Sequence, residues 1–377
     1  MPKTRILIGG DVCPVNRYAD LFRSGDRDAI LGPLAPIVLE SDLFVANLEC
    51  PLIAAPSPIL KTGPALGVPT ECARGLKNLG VHALSLANNH SMDHGPEGLD
   101  TTIDACHTQG IPVFGAGQTL AATQQLWKTE VNGLRVGVLG MAEREWSIAD
   151  RRRPGANPID LATFVRTMRQ ARTELDVIIV MLHAGAEGYE LPSPGLQATS
   201  RFLVEEGANL VVSQHSHCVG SYEFYQGQLI VYGQGNFIFD YPTHGAKGQH
   251  GVLISLDIEA DGRRAFTFHP FMQKTHEAGI TAVPEAEDFL KEFEARSAVL
   301  QDEDAVAQRW AEFCDSKKDY YLFGTLGYGP WRQRLARLPG FNQALKPTYQ
   351  KRLLGMLQNE THLELLRASL RRSLHLD

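Results

Sequence analysis

No stretch of this 377-residue chain approaches the roughly 18–20 consecutive apolar residues that carry a helix across a bilayer, so hydropathy points to no helical membrane span. Basic charge is not in excess either. Lys and Arg number 36 against 43 Asp and Glu, a formal net charge of −7, which leaves no global basic surface for a nucleic-acid backbone. Six cysteines, at 13, 50, 72, 106, 218 and 314, include no CxxC pair. That argues against a structural zinc knuckle or a disulfide framework and makes a reducing compartment the default. The opening MPKTRILIGGD runs from two basic residues straight into an apolar stretch, without the h-region of a secretory signal. The expectation is a cytoplasmic protein with neither a nucleic-acid nor a membrane partner. One dense basic patch, RRR at 151–153, precedes Pro154; it reads as a solvated loop, with an anion contact as the alternative.

What is present is a succession of short β-rich runs with polar or glycine ends. They are RILIGGD (5–11), DLFVANLE (42–49), ALSLANNH (83–90), RVGVLGMAE (135–143), DVIIVMLHAG (176–185), NLVVSQHSH (209–217), QLIVYGQGNFIF (228–239) and HGVLISLDIE (250–259). Helical spacing of apolar residues lies between several of them, at 95–110 and 161–175. Strands alternating with helices predict an α/β domain. After residue 283 the composition shifts to helical patterns, with an aromatic stretch (Tyr320, Tyr321, Phe323, Tyr328, Trp331) between them. The predicted division is a catalytic domain over 1–283 and a helical appendage over 284–377. The appendage reads as either a packing buttress or a lid. Its aromatics would receive an apolar peptide end or fill a core.

Chemistry-bearing residues collect where these strands end, the edge at which α/β folds place their sites. Asp11 closes the first run, Asn47 and Glu49 the second, Asn89 and His90 the third, His183 the fifth, and His215 and His217 the sixth. One such histidine alone would more often be a hydrogen-bonded structural residue; so many strand ends with carboxylate, amide or imidazole groups are harder to explain that way. Oxygen and imidazole donors without thiolate pairs suit Mn²⁺, Fe²⁺ or Zn²⁺ in an open catalytic site. In an extended segment residues two apart share a face, so the His-Ser-His step would aim both imidazoles at one centre.

The ordered set GDV (10–12), NLECPL (47–52), ANNHSMDHG (87–95), LHAGAE (182–187), SQHSH (213–217) and GNFIFD (235–240) resembles the CapA family. That family, named for poly-γ-glutamate capsule synthesis, is a branch of the calcineurin-like metallophosphatases. The resemblance spans roughly 4–275. It implies a four-layer αββα sandwich with a metal site at one sheet edge. Glu49 would be the bridging carboxylate; Asn89, His183 and His215 would hold one metal with it, and Asp11 and His217 the other. His90 would be the acid/base residue and Asp93 its orienting neighbour. Glu187 and Asn236 would line the substrate side or support the ligands.

The chain departs from the wider pattern. Cys13 stands where a D-x-H motif has its histidine, and it reads as packing in preference to ligation. Glutamate replaces aspartate at the bridging position, and Ala184 replaces a bulky aromatic. The first metal site is thereby depleted, leaving one or two occupied sites as alternatives. Three functions follow. One is metal-dependent hydrolysis of an amide, of poly-γ-glutamate type, or of a phosphoester. A second is acid/base chemistry on a peptide, with His90 and Asp11 as the proton carriers and L-to-D epimerisation at an α-carbon as its form. CapA-like proteins of peptide-tailoring pathways, including lasso-type ones, make this compatible with the resemblance. A third is a non-catalytic scaffold, disfavoured by the complete ligand set. Epimerisation of a ribosomally made peptide is the expectation, and the oligomeric state is left open.

Overall fold

The computed structural model describes residues 3–61, 63–240 and 245–325, with side chains described as far as 316. Two sheets organise it. Their strands, in chain order, are β1 (Thr4–Cys13), β2 (Leu43–Leu48), β3 (Ala83–Ser85), β4 (Val113–Phe114), β5 (Trp127–Val131), β6 (Leu134–Ala142), β7 (Val177–His183), β8 (Leu210–Gln214), β9 (Tyr222–Tyr225), β10 (Gln228–Tyr232), β11 (Asn236–Phe239), β12 (His250–Ile258), β13 (Arg264–Gln273) and β14 (Ile280–Ala282). The first sheet has the order β14-β13-β12-β1-β2-β3-β4, with β11 also paired to β1; the second has the order β9-β10-β8-β7-β6-β5.

The central strands are buried on both faces, which is why their sequences are near-continuous apolar runs. Alternate residues of β1 and β2 sort to opposite sides. Ile6, Ile8 and Val45 meet Val138, Ile179 and Val212 of the second sheet in one buried cluster. Leu7 and Phe44 face the other way, onto Tyr18, Phe22, Leu76 and Leu99 of the flanking helices. On the far side of the second sheet, Ile178, Val180 and Val211 pack against Phe164, Met168 and Leu203. Helices therefore cover both outer faces, and the layers run αββα as expected. The helix Leu161–Glu174 shows how the sequence encodes its part. Asp160 caps it by accepting from the Thr163 N–H, and Phe164, Met168 and Ala171 recur at helical spacing on its buried side.

Parallel pairing brings several strand C-termini to a common edge. Asp11 stands beside Asn47 in the β1–β2 ladder, and His183 beside Gln214 in β7–β8. The run 228–239, predicted as one strand, is two. It leaves the second sheet after β10, crosses at 233–235 and enters the first sheet as β11. The crossing needs glycine. Gly233 and Gly235 have φ of 127° and 70°, and a Cβ on Gly235 would lie 2.3 Å from the His250 carbonyl oxygen.

The chain forms two compact units, Met1–Trp310 and Ala311–Asp377. The first takes in the helix Ala286–Ala298, which composition assigns to the appendage beginning at 284. Its Phe293 is buried with Val219 and Val252, and Leu300 and Val306 join the cluster on the second sheet. Apolar spacing alone does not say which surface a helix buries against. Within the second unit, the described backbone is helical to Thr325. The aromatic side chains at 320, 321, 323, 328 and 331, and the terminal helical pattern, lie outside the described residues. At 150–153 the basic patch is an exposed loop folded on its own acid: Asp150 accepts from the N–H groups of Arg152 and Arg153 and from the Arg153 guanidinium.

Candidate metal centre

Side chains from both sheets converge at the common edge. His183, the last residue of β7, is almost fully buried. Its Nε2 lies 3.0 Å from Asn89 Oδ1, 3.1 Å from His215 Nδ1 and 3.3 Å from Glu49 Oε1. Its Nδ1 is 3.3 Å from the Asn47 amide nitrogen and 3.9 Å from Asp11 Oδ1. Asn47 in turn donates to Asp11 Oδ1 at 2.7 Å, so one amide sets the spacing between Asp11 and His183. Asp11 Oδ2 accepts from the His215 N–H at 3.2 Å. His217 Nε2 stands 3.7 Å from Glu49 Oε1.

The two histidines after β8 reach the centre in a way the alternation argument does not describe. The strand ends at Gln214. His215 and His217 then take φ of 86° and 53°, left-handed values uncommon for a side-chain-bearing residue. The bend is held by Gly188, whose N–H donates to the Ser216 carbonyl at 2.8 Å. Strain of this kind persists only where the surroundings enforce it, and it concentrates at functional sites. His217 is further fixed by Asn236. The Asn236 amide donates to the Gly248 carbonyl at 3.0 Å, which turns its oxygen toward His217 Nδ1 at 2.9 Å. Nδ1 therefore carries the proton, and Nε2 is left to face Glu49.

Glu49 is the most exacting residue of the cluster. Both of its carboxylate oxygens are buried without a hydrogen-bond partner, a costly arrangement unless something else satisfies them. Burial pushes its carboxyl well above the usual range. The adjacent Asp11 carboxyl, which can bond to it only by sharing a proton, offsets part of that, and the negative charges of Glu187, Glu145 and Asp93 push it further up. Burial, then Glu49, raises Asp11 to about 8. Burial also holds His183 below its ordinary value, which keeps the ring neutral. Two packed, buried carboxylates beside buried imidazoles fit the donor set of a divalent metal centre. Ligand atoms of Asp11, Glu49 and His183 lie within 4.8 Å of one another, as do those of Glu49, His215 and His217. The oxygen-and-imidazole donor set suits a divalent metal ion.

Beside this cluster His90 follows Asn89 into a tight turn. Its Nδ1 is 2.6 Å from Asp93 Oδ2, and Asp93 is wholly buried. Burial lowers the His90 pKa, and the Asp93 carboxylate offsets part of that. Cys13 belongs to neither group of close donor atoms and is buried in the apolar cluster with Leu48, Cys50 and Phe239. Burial, with Cys50 adjacent, pushes its thiol well up, as packing requires. All six cysteines are free, and Cys314 is exposed. Glu187 is exposed and reaches the centre through its charge.

The sequence reading missed four residues here. Asn47 stands at a strand end, a position that by itself assigns it no role. Asn88 donates to Asn47 Oδ1 at 3.1 Å and to the Leu48 carbonyl at 2.8 Å, locking the amide's orientation; the doubled asparagine was its only signal. Glu145 approaches Asn89 Nδ2 at 3.2 Å and His215 Nε2 at 3.4 Å. Lys61 contacts Asp93 and His90. Neither of the last two sits in a motif, and nothing local distinguishes them.

Residues 5–241 match the model of the family described as bacterial capsule synthesis protein PGA_cap. The chain belongs to this family. Among relatives of this PGA_cap chain, the PGA biosynthesis protein CapA of Bacillus subtilis is 28% identical over 289 residues, covering 75% of this chain and 74% of its own. The capsule biosynthesis protein CapA of Bacillus anthracis is 26% identical, covering 63% and 60%. A probable polyglutamine synthesis accessory protein of Mycobacterium tuberculosis is 32% identical over a shorter part, 44% of this chain and 47% of its own. Among solved structures, a hypothetical protein from Thermus thermophilus aligns at 18% identity and a TM-score of 0.45, covering 72% of this chain and all of that one. A putative 5′-nucleotidase from Staphylococcus aureus aligns at 12% identity and a TM-score of 0.45, covering 77% and 57%.

Proposed function

We propose that this PGA_cap protein is a metal-dependent acid/base enzyme that acts on a peptide substrate and epimerises one residue from L to D at its α-carbon. The observation that carries the proposal is the pairing of two different proton carriers with one cluster of metal-competent donors. His90 is oriented by Asp93, and Asp11 belongs to the cluster itself. Asp11, Glu49, Asn89, His183, His215 and His217 would hold the metal. When bound, a divalent cation supplies Lewis-acid polarisation of the substrate's carbonyl oxygen.

The residues then divide the work. With Asp93 accepting from Nδ1–H, the His90 Nε2 lone pair is available to a proton. One member of the His90–Asp11 pair removes the α-proton, breaking the C–H bond. The other must enter the cycle protonated and gives its proton to the opposite face of the carbon, so the two groups exchange protonation states at each turnover and the covalent skeleton is unchanged. Asp11 keeps a further lone pair on each oxygen beyond the bonds it accepts from Asn47 and His215.

A second reading, hydrolysis of an amide or phosphoester at the same centre, draws on the relatives whose names concern PGA and polyglutamine. It needs only one proton carrier, His90, to protonate the leaving group. Among the described residues no helix is long and apolar enough to cross a membrane. Incubation of the Mn²⁺-loaded protein with candidate peptides in D₂O separates the readings. One deuterium at an α-carbon of an intact peptide supports epimerisation; a cleaved peptide or released phosphate without it supports hydrolysis.

A further inference from the structure

The turn carrying His90 is covered by a segment rich in specific contacts. The Ser57 N–H donates to His94 Nδ1 at 2.9 Å, and the Ile59 N–H to the Asp93 carbonyl at 2.9 Å. The Leu66 N–H donates to Asp93 Oδ2 at 2.7 Å. Between them Lys61 turns inward, its side chain only 4% exposed. Its Nζ donates to Asp93 Oδ1 at 2.5 Å. It also lies 3.3 Å from His90 Nδ1, but there two donors face each other once Nδ1 carries its proton, so the ammonium's bond is to the carboxylate alone. A lysine this buried is rare unless paired, and here it is paired with a fully buried carboxylate.

We infer that Lys61 is a positioning residue for His90, the far end of a Lys61–Asp93–His90 relay. The inference rests on the reading of His90 as a proton carrier and deepens it. The geometry assigns each link. The Lys61 ammonium has donors only, so it binds Asp93 in its ionised, acceptor-only form. With Oδ1 engaged by Lys61 and Oδ2 already accepting from Leu66, Asp93 can meet His90 only as an acceptor. The imidazole must then donate from Nδ1, which fixes its ring plane and leaves Nε2 without a proton. Removing the ammonium would free Asp93 to rotate, and His90 would lose its single tautomer. Supporting residues of this kind typically change activity by about 10–100-fold when replaced.

The test uses the full chain, loaded with diamagnetic Zn²⁺ and labelled with ¹⁵N-histidine, with His90 assigned by its absence in His90→Gln. Two-bond ¹H–¹⁵N spectra of the wild type should show one His90 tautomer, protonated at Nδ1. In Lys61→Met that pattern should be lost, to a mixture or to the Nε2–H form, while bound zinc stays stoichiometric. A Lys61→Met protein that keeps the wild-type His90 pattern overturns the inference. Should Lys61→Met fail to fold, the wild type carries the test through its ¹⁵N-lysine signals. Lys61 ammonium protons protected from solvent exchange, with cross-relaxation to the His90 ring, support the relay, and a solvent-averaged ammonium signal overturns it. None of these readouts needs a turnover substrate. If the tautomer shifts as expected while no peptide takes up α-deuterium, the relay stands and the epimerase reading falls.

Discussion

Asp11 and Asn236 stand opposite each other in the parallel β1–β11 pairing. One contributes a carboxylate to the metal-competent cluster, and the other orients His217. That register depends on the chain changing sheets immediately beforehand, at Gly235. Gly235→Ala should therefore cost about 1–3 kcal/mol, the range for a residue held in a sparsely populated backbone region. A shift in urea midpoint would measure it. The variant should also bind less metal than wild type, because Asn236 moves with the crossing. Unchanged stability and metal content together would show that the crossing tolerates a side chain.

Metal content tests the centre directly. His183→Ala removes the ring that meets Asn89, His215 and Glu49, and Glu49→Gln removes the carboxylate with no hydrogen-bond partner. Each should lose stoichiometric metal while the circular dichroism of the fold is retained. Cys13→Ala should keep it, since Cys13 packs among apolar residues. Metal retained in both ligand variants, or lost from Cys13→Ala, would contradict this assignment.

The pH dependence has a definite sign. In the metal-free protein Asp11 is raised from 3.8 to about 8, so the folded state keeps a proton that the unfolded state releases. Between those values the unfolded chain binds fewer protons, and stability falls as pH rises. Glu49 is shifted in the same direction. Metal binds the ionised form, and ligand at 100 times its Kd adds about 2.7 kcal/mol. The rise in Tm on adding Mn²⁺ should accordingly be larger at pH 8 than at pH 5.5. Equal increments at both would mean that neither carboxylate gains its charge on binding.

His90→Ala should lower α-deuterium incorporation by about 10²–10⁴, the usual contribution of a placed acid/base group, with metal content intact. Asp11→Asn should also slow exchange, but only metal analysis of that variant can separate lost proton transfer from lost ligation. Full activity in His90→Ala would remove it from the chemistry under either reading.

Much of this was legible in the chain because strand periodicity and burial leave local marks. Apolar runs at 6–8, 43–46 and 177–182 had to be buried strands, and the polar residues ending them had to gather at one edge once the strands paired in parallel. That logic found Asp11, Glu49, Asn89 and His183 by position, and the CapA-like motifs gave them candidate roles. Tertiary structure decided the rest. His215 and His217 aim at Glu49 through left-handed backbone that no alternation rule anticipates. The run at 228–239 divides between two sheets because a close carbonyl leaves no room for a Cβ at Gly235. The helix Ala286–Ala298 belongs with the first unit because Phe293 finds a buried pocket there. Lys61 comes within hydrogen-bonding reach of Asp93, 32 residues away in sequence. A sequence records which side chains prefer water; which buried charge meets which is settled only when distant segments close on one another.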